Sequence, residues 1–329
     1  MKRHANLAFF VTHLGCPHQC VFCDQKSISG QQKAPTAEEV TKTCSRFLPG
    51  NGSETEIAFF GGSFTAIDRA LMTELLEAAY PFVREGRASG IRISTRPDAI
   101  DGEILDILKN YGVTSVELGA QSMSDEVLRL NGRGHDSESV VSASGLIKEA
   151  GFSLGLQMMV GMYGAADPAS EAGYTARRLA ELGPDTVRIY PTIVVEGTAL
   201  AALCRAGRYV PLELEQAVDI TASLIEMFRS RDIDVIRIGL HYEESLVDSM
   251  ISGPYHPAFG ELCESRIFRN AMEIQLREGD SAEVRCEPRL LSQVTGQKKS
   301  NIEYFRSRGI GIRVIPDEGV KGIKVNKLQ

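Results

Sequence analysis

Short segments rich in β-branched and aromatic residues alternate along this chain with longer amphipathic segments, and this alternation restricts the fold more than any other feature. Repeated strand–helix units predict a parallel sheet with helices packed outside it. Six or seven such units exceed half of a doubly wound sheet, so we predict an α/β fold of the partial (β/α)6 TIM-barrel type. The predicted strands are Leu7–Thr12, Glu56–Phe60, Gly90–Thr95, Ser115–Gly119, Leu154–Val160, Thr186–Tyr190 and a seventh at Asp234–Gly239. The predicted helices include Asp68–Gly86, Asp101–Tyr111, Ser137–Ala150 and Glu171–Leu182.

The rhythm changes after Gly253, and we expect two units, a barrel core at 1–253 and a smaller part at 254–329. The second part begins with a helix at Ala258–Leu276. A small α+β appendage follows, below the size that folds comfortably alone, so we expect it to dock on the barrel. Its predicted elements are a strand at Ala282–Glu287, helices at Leu290–Thr295 and Ser300–Arg308, and strands at Ile310–Ile315 and Gly319–Val325.

Three cysteines, Cys16, Cys20 and Cys23, lie within eight residues directly after the first predicted strand. Barrels of this kind place their chemistry at the carboxyl ends of the strands. Thiolates select zinc or iron–sulfur clusters, and three thiolates on a four-iron cluster leave one iron open to a ligand that is not protein. A zinc site completed by His13 or His18, or simple loop cysteines, is the alternative.

Composition limits the compartment and the partners. Seven cysteines, an odd number, do not indicate a disulfide framework, and we expect Cys44, Cys204, Cys263 and Cys286 to be separate buried thiols. A reducing cytoplasm fits this usage, and no stretch of the chain reads as a membrane span or a signal peptide. The net charge of −7 does not indicate nucleic-acid binding, although a local basic surface can occur on an acidic protein.

The spacing Cys-x3-Cys-x2-Cys, with Phe22 before the third cysteine, resembles the signature of the radical S-adenosylmethionine (SAM) superfamily. That resemblance implies a [4Fe-4S] cluster held by Cys16, Cys20 and Cys23, with SAM chelated at the open iron. It also implies reductive cleavage of SAM to a 5′-deoxyadenosyl radical. An external donor of the flavodoxin or ferredoxin type would supply the electron for this cleavage.

Further blocks resemble the Elongator catalytic subunit branch of that superfamily, over roughly residues 5–260. They include Gly61-Gly62-Ser63-Phe-Thr, Ser94-Thr-Arg-Pro-Asp98, Leu118-Gly-Ala-Gln-Ser122, Asn131-Gly-Arg-Gly-His135 and Arg188-Ile-Tyr-Pro-Thr192. This chain resembles branch members without the acetyltransferase domain. The likeness implies SAM contacts from Gly61, Gly62, Ser63, Ser94, Gln121 and Arg133.

Two features of the sequence support contacts with SAM, at the paired glycines and at Gln157, and two weaken them, at Ser94 and Arg133. Paired glycines after a strand let the backbone approach a ligand. Gln157 interrupts an apolar strand, and a buried amide there needs partners that a ribose can supply. Relatives often carry Glu where this chain has Ser94, so a carboxylate is missing at that position. Without the resemblance, Arg133 reads as a solvated loop charge facing Asp136.

Substrate contacts are less defined by the sequence. Tyr190, His241 and His256 are the candidate catalytic residues because they follow later strands, and the pair Lys298-Lys299 either touches phosphate or is a solvated surface. Kinship with the Elongator subunit implies a tRNA base as substrate. A small-molecule metabolite is the alternative, and a non-catalytic iron–sulfur module associated with RNA is a third hypothesis.

Overall fold

The structure is a computed structural model that describes residues 5–11, 14, 16, 19–24, 33–48, 50, 52 and 54–328. Its main feature is an open parallel sheet of seven strands in the order β1-β2-β3-β4-β5-β6-β8. The predicted partial barrel is confirmed, and the seventh strand pairs beside the sixth. The strands are β1 Asn6–Val11, β2 Glu56–Gly61, β3 Gly90–Thr95, β4 Val113–Gln121, β5 Ser153–Val160, β6 Thr186–Pro191 and β8 Asp234–Ile238. Thr12, His13 and His18 lie outside the described residues.

Helices connect successive strands and cover the outer face of the sheet. Many begin at a side chain that accepts a hydrogen bond from a backbone N–H of the first turn, which is the role of an N-cap. Asp68, Asp101, Asp136 and Asp167 have this role. The helices up to β8 are α1 Ala37–Phe47, α2 Arg69–Arg84, α3 Gly102–Asn110, α4 Asp125–Leu130, α5 Ser137–Glu149, α6 Pro168–Glu181, α7 Ala199–Arg205 and α8 Leu214–Arg229.

Successive side chains of a strand point to opposite faces of a sheet, and here the two faces differ in chemistry. Ile91 and Ile93 of β3 are fully buried in the core between the sheet and the helices. Arg92 and Ser94 of the same strand point to the inner face, where they meet polar side chains of β4. The apolar face therefore holds the helices, and the inner face carries the polar groups of the barrel.

The chain after β8 builds a second, smaller sheet. It comprises β10 Ser281–Cys286, β11 Gly311–Pro316 and β12 Ile323–Leu328 in the order β11-β10-β12, with β10 parallel to β11 and antiparallel to β12. The remaining elements are the short strands β7 Val194–Val195 and β9 Met250–Ser252, which pair with each other, and the helices α9 Glu244–Ser249, α10 Phe259–Glu273, α11 Leu291–Thr295 and α12 Ser300–Ser307.

The last strand starts later than the sequence predicts. The Gly319 N–H donates to Asp317 Oδ1 over 2.8 Å, and Gly322 has a φ of 73°, so the chain turns where a strand at Gly319–Val325 was expected. The appendage has its own apolar cluster, which includes Val284 and Phe305. Since α10 contributes to both clusters, a unit boundary at residue 253 stays a prediction.

Candidate functional site

A cavity of about 390 Å³ lies at the carboxyl end of the parallel strands. Small-molecule sites commonly have volumes of about 300–1,000 Å³, so a ligand of nucleoside size fits this range. All predicted site residues except Ser63 and His256 line it: Cys16, Cys20, Cys23, Gly61, Gly62, Ser94, Gln121, Arg133, Gln157, Tyr190 and His241. The other lining residues include Phe10, Gln19, Phe22, Phe60, Arg96, Arg188, Leu240 and Glu243.

The three cysteines form one wall of this cavity. Burial, followed by the neighbouring Cys20 and Cys16, raises the pKa of Cys23 to about 12, and burial also raises the pKa of Cys16. A thiol in this setting ionises only when a cation compensates its charge, and a bound iron would supply that charge. In the described part of the chain, no three His, Cys, Asp or Glu side chains converge as ligands of one ion. A four-iron cluster does not require the three thiols to converge on one point, since each cysteine would bind a separate iron.

Gly61 and Gly62 are explained mainly by the cysteine loop. Val11 and Gly61 are register partners at the ends of β1 and β2, and the Gly62 N–H donates to the Val11 carbonyl oxygen over 2.7 Å. A Cβ atom on Gly62 would overlap the carbonyl oxygen of Leu14, and Gly61 has a φ of 100°. The glycines were expected to make room for a ligand. The structure shows that they make room for the backbone that carries the cysteines, and their contact with SAM stays a prediction.

Ser63 does not line the cavity. Its side chain is fully buried, lies 2.9 Å from the Thr95 hydroxyl and accepts a hydrogen bond from the Arg96 N–H over 3.2 Å. This serine therefore ties the loop after β2 to the loop after β3. Its side chain supports the wall of the cavity, and a SAM contact from Ser63 stays a prediction.

Arg133 is a buried residue whose side chain joins β4 to the cysteine loop by hydrogen bonds. Its Nη1 donates to Cys20 Sγ over 3.2 Å and its Nη2 donates to the Gly119 carbonyl oxygen over 2.5 Å. Only 8% of the residue is exposed, which excludes the solvated-loop alternative. Arg133 Nε is buried without a partner in the described residues, so the guanidinium retains one donor.

Gln121 brings to the cavity a buried side-chain oxygen without a hydrogen-bond partner in the described part of the chain. It lies at the end of β4 with a φ of 67°, a region that non-glycine residues rarely adopt. Its Oε1 is buried and finds no hydrogen-bond donor among the described residues. A buried polar atom without a partner costs stability, and a hydroxyl or amino group of a bound ligand would satisfy it.

A buried ion network under the cavity was not foreseen from the sequence. Glu117, 1% exposed, accepts from Arg92 Nη1 over 3.0 Å and from Arg188 Nη2 over 2.8 Å. Gln157 Nε2 donates to the same carboxylate over 3.2 Å, and Ser94 Oγ donates to it over 3.3 Å. A carboxylate therefore stands beside Ser94 after all, supplied by the neighbouring strand. Its two oxygens are engaged by arginines, so it shapes the floor of the cavity.

Four further lining residues come from β6 and from the segment after β8: Arg188, Tyr190, His241 and Glu243. The Arg188 guanidinium also lies 4.8 Å from the centre of the Phe60 ring. His241 stands at the exposed rim, where partial burial, followed by the nearby Arg237 and Arg188, lowers the pKa of its imidazole. The ring is therefore neutral at pH 7.

His256 is not part of this site. Its Nδ1 accepts a hydrogen bond from the Ala258 N–H over 3.0 Å, directly before α10. The ring thereby helps to start the helix. His256 does not line the cavity, and a catalytic role for it stays a prediction.

Comparisons with known proteins agree with this geometry. The Radical SAM superfamily matches residues 10–168, and the Radical SAM C-terminal domain matches residues 184–269. The chain is 26% identical over 288 residues to the tRNA uridine(34) acetyltransferase of Dehalococcoides mccartyi, covering 74% of this chain and 62% of that protein. It is 34% identical over 143 residues to Elongator complex protein 3 of Saccharomyces cerevisiae, covering 42% and 25%. The chain thus spans less than two thirds of the length of these relatives.

The fold has a solved counterpart. The archaeal Elp3 of Methanocaldococcus infernus with an N-terminal deletion superimposes with a TM-score of 0.65 at 20% identity, covering 85% of this chain and 66% of that one. In the part of the chain that the structure describes, none of the helices is long and apolar enough to cross a bilayer. The two family matches, the open parallel barrel and the cysteine-lined cavity agree. The chain belongs to the radical SAM superfamily, whose enzymes use a [4Fe-4S] cluster and SAM.

Proposed function

We propose that Cys16, Cys20 and Cys23 hold the [4Fe-4S] cluster, that SAM occupies the cavity beside them, and that the enzyme acts on a base of tRNA. The observation that carries the first two parts is the convergence of three separate elements on one cavity. The cysteine loop, the glycine pair after β2 and the unpartnered Gln121 amide all line it.

The chain's own residues divide the work in this proposal. Gly61 and Gly62 offer backbone groups at the cavity edge, and Gln121 Oε1 accepts from a ligand hydroxyl or amino group. Arg133 holds Cys20 against β4 and places a positive charge beside the thiolates. Phe10, Phe22 and Phe60 give the cavity apolar surface.

With the cluster held by Cys16, Cys20 and Cys23 and SAM in the cavity beside them, the two cofactors would supply one-electron reductive cleavage of SAM and, through its 5′-deoxyadenosyl part, removal of a hydrogen atom from the substrate. A ferredoxin or flavodoxin would return one electron to the cluster. His241 and Tyr190 face the substrate end of the cavity in this arrangement, and they are placed to orient the base that loses the hydrogen.

The choice of a tRNA base is supported by the relatives. One of them is a tRNA uridine(34) acetyltransferase, and the similarity to it covers 74% of this chain. A small-molecule metabolite is the second candidate, favoured by the acidic charge of −7, which repels a polyanion at long range.

Anaerobic reconstitution tests the cluster and SAM. Protein loaded with iron and sulfide is given dithionite and SAM, and 5′-deoxyadenosine is measured by chromatography. We expect formation by the native chain and none by the variant Cys16→Ala/Cys20→Ala/Cys23→Ala. The matched control is Cys286→Ala, whose thiol is buried in the appendage and should be dispensable. Absence of 5′-deoxyadenosine in native protein that carries a cubane would refute the proposal.

Deuterium transfer tests the substrate. Total tRNA and a metabolite extract, each prepared in deuterated form, are supplied separately, and deuterium in 5′-deoxyadenosine reports hydrogen abstraction. Label from tRNA alone supports the proposal. Label from the metabolite extract alone selects the small-molecule candidate and overturns the tRNA assignment.

A further inference from the structure

Charge is distributed very unevenly along this acidic chain. Residues 281–329 contain ten Lys and Arg against five Asp and Glu, a net charge of +5. Because the whole chain carries −7, residues 1–280 carry −12. Polyanions are attracted by such a concentration of positive charge and repelled by the barrel. The appendage is therefore the part of the molecule that is electrostatically suited to a nucleic acid.

The appendage places two of these cations on one loop. The loop Gly296-Gln-Lys-Lys299 joins α11 to α12, and these helices pack with the sheet β11-β10-β12 around a shared apolar cluster. Lys298 and Lys299 are exposed, and neither side chain has an ion pair or hydrogen bond among the described residues. Most of the other arginines of the appendage are paired, for example Arg285 with Asp317.

The loop is built to hold one conformation. Asn301, 2% exposed, donates from Nδ2 to the Ser265 carbonyl oxygen over 3.0 Å and to the Val294 carbonyl oxygen over 3.1 Å. Gly296 has a φ of 80°, and a Cβ atom there would lie 2.8 Å from the Asn301 nitrogen. A flexible surface turn needs no such buried anchor. The anchoring holds the backbone beside the two lysines in place.

The two lysines also occupy an unusual backbone conformation. Lys298 has a φ of 52° and Lys299 a φ of 66°, a region that favours glycine. KH modules clamp four nucleotides of an RNA backbone against a Gly-x-x-Gly loop. Here Gly296 occupies the first place of such a loop, and Lys299 occupies the fourth place with a glycine-like φ. A lysine at this place carries a positive charge that a glycine would not.

We propose that the loop at 296–299 binds the sugar–phosphate backbone of single-stranded RNA, with Lys298 and Lys299 as the phosphate contacts. This deepens the proposed function, since it gives an acidic barrel a means of retaining an RNA substrate. RNA binding by the loop does not require the radical chemistry, so the two proposals are tested by different measurements.

Fluorescence anisotropy with the full-length protein and a short labelled single-stranded RNA tests the proposal over a series of salt concentrations. The variant Lys298→Ala/Lys299→Ala should bind about tenfold more weakly at low salt. The slope of log K against log salt should fall in magnitude by about 1.4, because each phosphate contact on a single strand contributes roughly 0.7. Lys298→Arg/Lys299→Arg retains both charges and should bind within about threefold of the native chain.

The matched control is Lys42→Ala/Arg231→Ala. Both of these residues are exposed on the barrel and lack side-chain partners in the described part of the chain, so the control removes the same net charge. It should bind RNA as the native protein does. The proposal is overturned if native protein does not bind the RNA, if the control loses as much affinity as the loop variant, or if the loop variant keeps the native slope. Tighter binding of DNA of the same sequence also overturns it, since the 2′-hydroxyl is what distinguishes RNA.

Formation of 5′-deoxyadenosine separates the two proposals. A loop variant that loses RNA affinity should still cleave SAM, because the loop lies in the appendage and does not line the cavity. Loss of RNA binding with SAM cleavage intact supports the loop assignment. Native SAM cleavage without any RNA affinity refutes the loop assignment and leaves the radical chemistry standing.

Discussion

Glu117 shows how one buried side chain can set the shape of a cavity. Its carboxylate accepts hydrogen bonds from Arg92, Arg188, Ser94 and Gln157, which come from three different strands. Gly155 leaves the space this requires, because a Cβ atom there would lie 2.8 Å from Glu117 Cγ. A charge so deeply buried is tolerated only when it is paired. The network therefore fixes the floor on which a ligand would rest.

We predict that Glu117→Gln destabilises the protein by about 3 kcal/mol, because the change leaves the buried Arg188 without its carboxylate. Urea denaturation measures the free energy of unfolding. Ser94→Ala is the control, since it removes only two long hydrogen bonds, to Glu117 and from Gln157, and should cost about 1 kcal/mol. Equal costs for the two substitutions would show that the arginines do not depend on Glu117.

Lys299, unlike Glu117, does not suit its position, because its backbone conformation favours glycine. We predict that Lys299→Gly raises the free energy of unfolding by up to about 1 kcal/mol, since glycine adopts a φ of 66° without steric cost. Thermal denaturation followed by circular dichroism checks this. Lys321→Gly, an exposed site outside the positive-φ residues, should give no gain. A destabilised Lys299→Gly variant would contradict this account of strain.

At the scale of elements, the junction of β1 and β2 carries the cysteine loop. We predict that Gly62→Ala costs about 1–3 kcal/mol through overpacking against the Leu14 carbonyl and reduces the iron taken up on reconstitution. Gly102→Ala at the start of α3 is the control, because a Cβ atom there meets nothing within 4 Å. Iron content per chain, together with far-ultraviolet circular dichroism, gives the result. Native iron uptake by Gly62→Ala would show that the loop tolerates displacement.

Most strands were predictable because hydrophobic periodicity and turn residues are local signals. The predicted strand Gly90–Thr95 agrees with β3 residue for residue. The roles of Glu117 and Arg188 were not predictable, since their pairing joins residues 71 positions apart and depends on strand order and register. The surroundings of His256 and Ser63 were not predictable for a different reason. The hydrogen bonds of His256 with Ala258, and of Ser63 with Thr95 and Arg96, depend on side-chain directions that no periodic pattern encodes.

At the scale of the whole molecule, buried neutral histidine makes stability depend on pH. Burial, followed by the nearby Arg133, lowers the pKa of His135 to about 4 from an ordinary value near 6.5. The unfolded chain therefore binds a proton between these values that the folded chain does not bind. The stability that the neutral His135 contributes is fully present above pH 6.5 and is lost as the pH falls toward 4.

We predict that the cluster-free protein loses up to about 2 kcal/mol of unfolding free energy from this residue between pH 7 and pH 5. His135→Gln, which cannot titrate, should show a correspondingly shallower loss over the same interval. Urea titrations at each pH provide the comparison. A native protein as stable at pH 5 as at pH 7 would contradict a buried, neutral His135.

The molecule as a whole separates two tasks by charge and by distance along the chain. The acidic barrel holds the cavity, and the basic appendage holds the anchored lysine loop. This separation could be read only in part from the sequence. The lysine pair was visible, but its rigid support depends on Asn301 reaching back to Ser265, across 36 residues.

The Asn301 anchor has a kinetic consequence. Because the loop is already in place before a partner arrives, little conformational entropy remains to be lost at the encounter. Mixing experiments should then show a single bimolecular phase whose rate rises linearly with RNA concentration and slows with added salt. Asn301→Ala should introduce a slower step that saturates, as the loosened segment must find its bound shape.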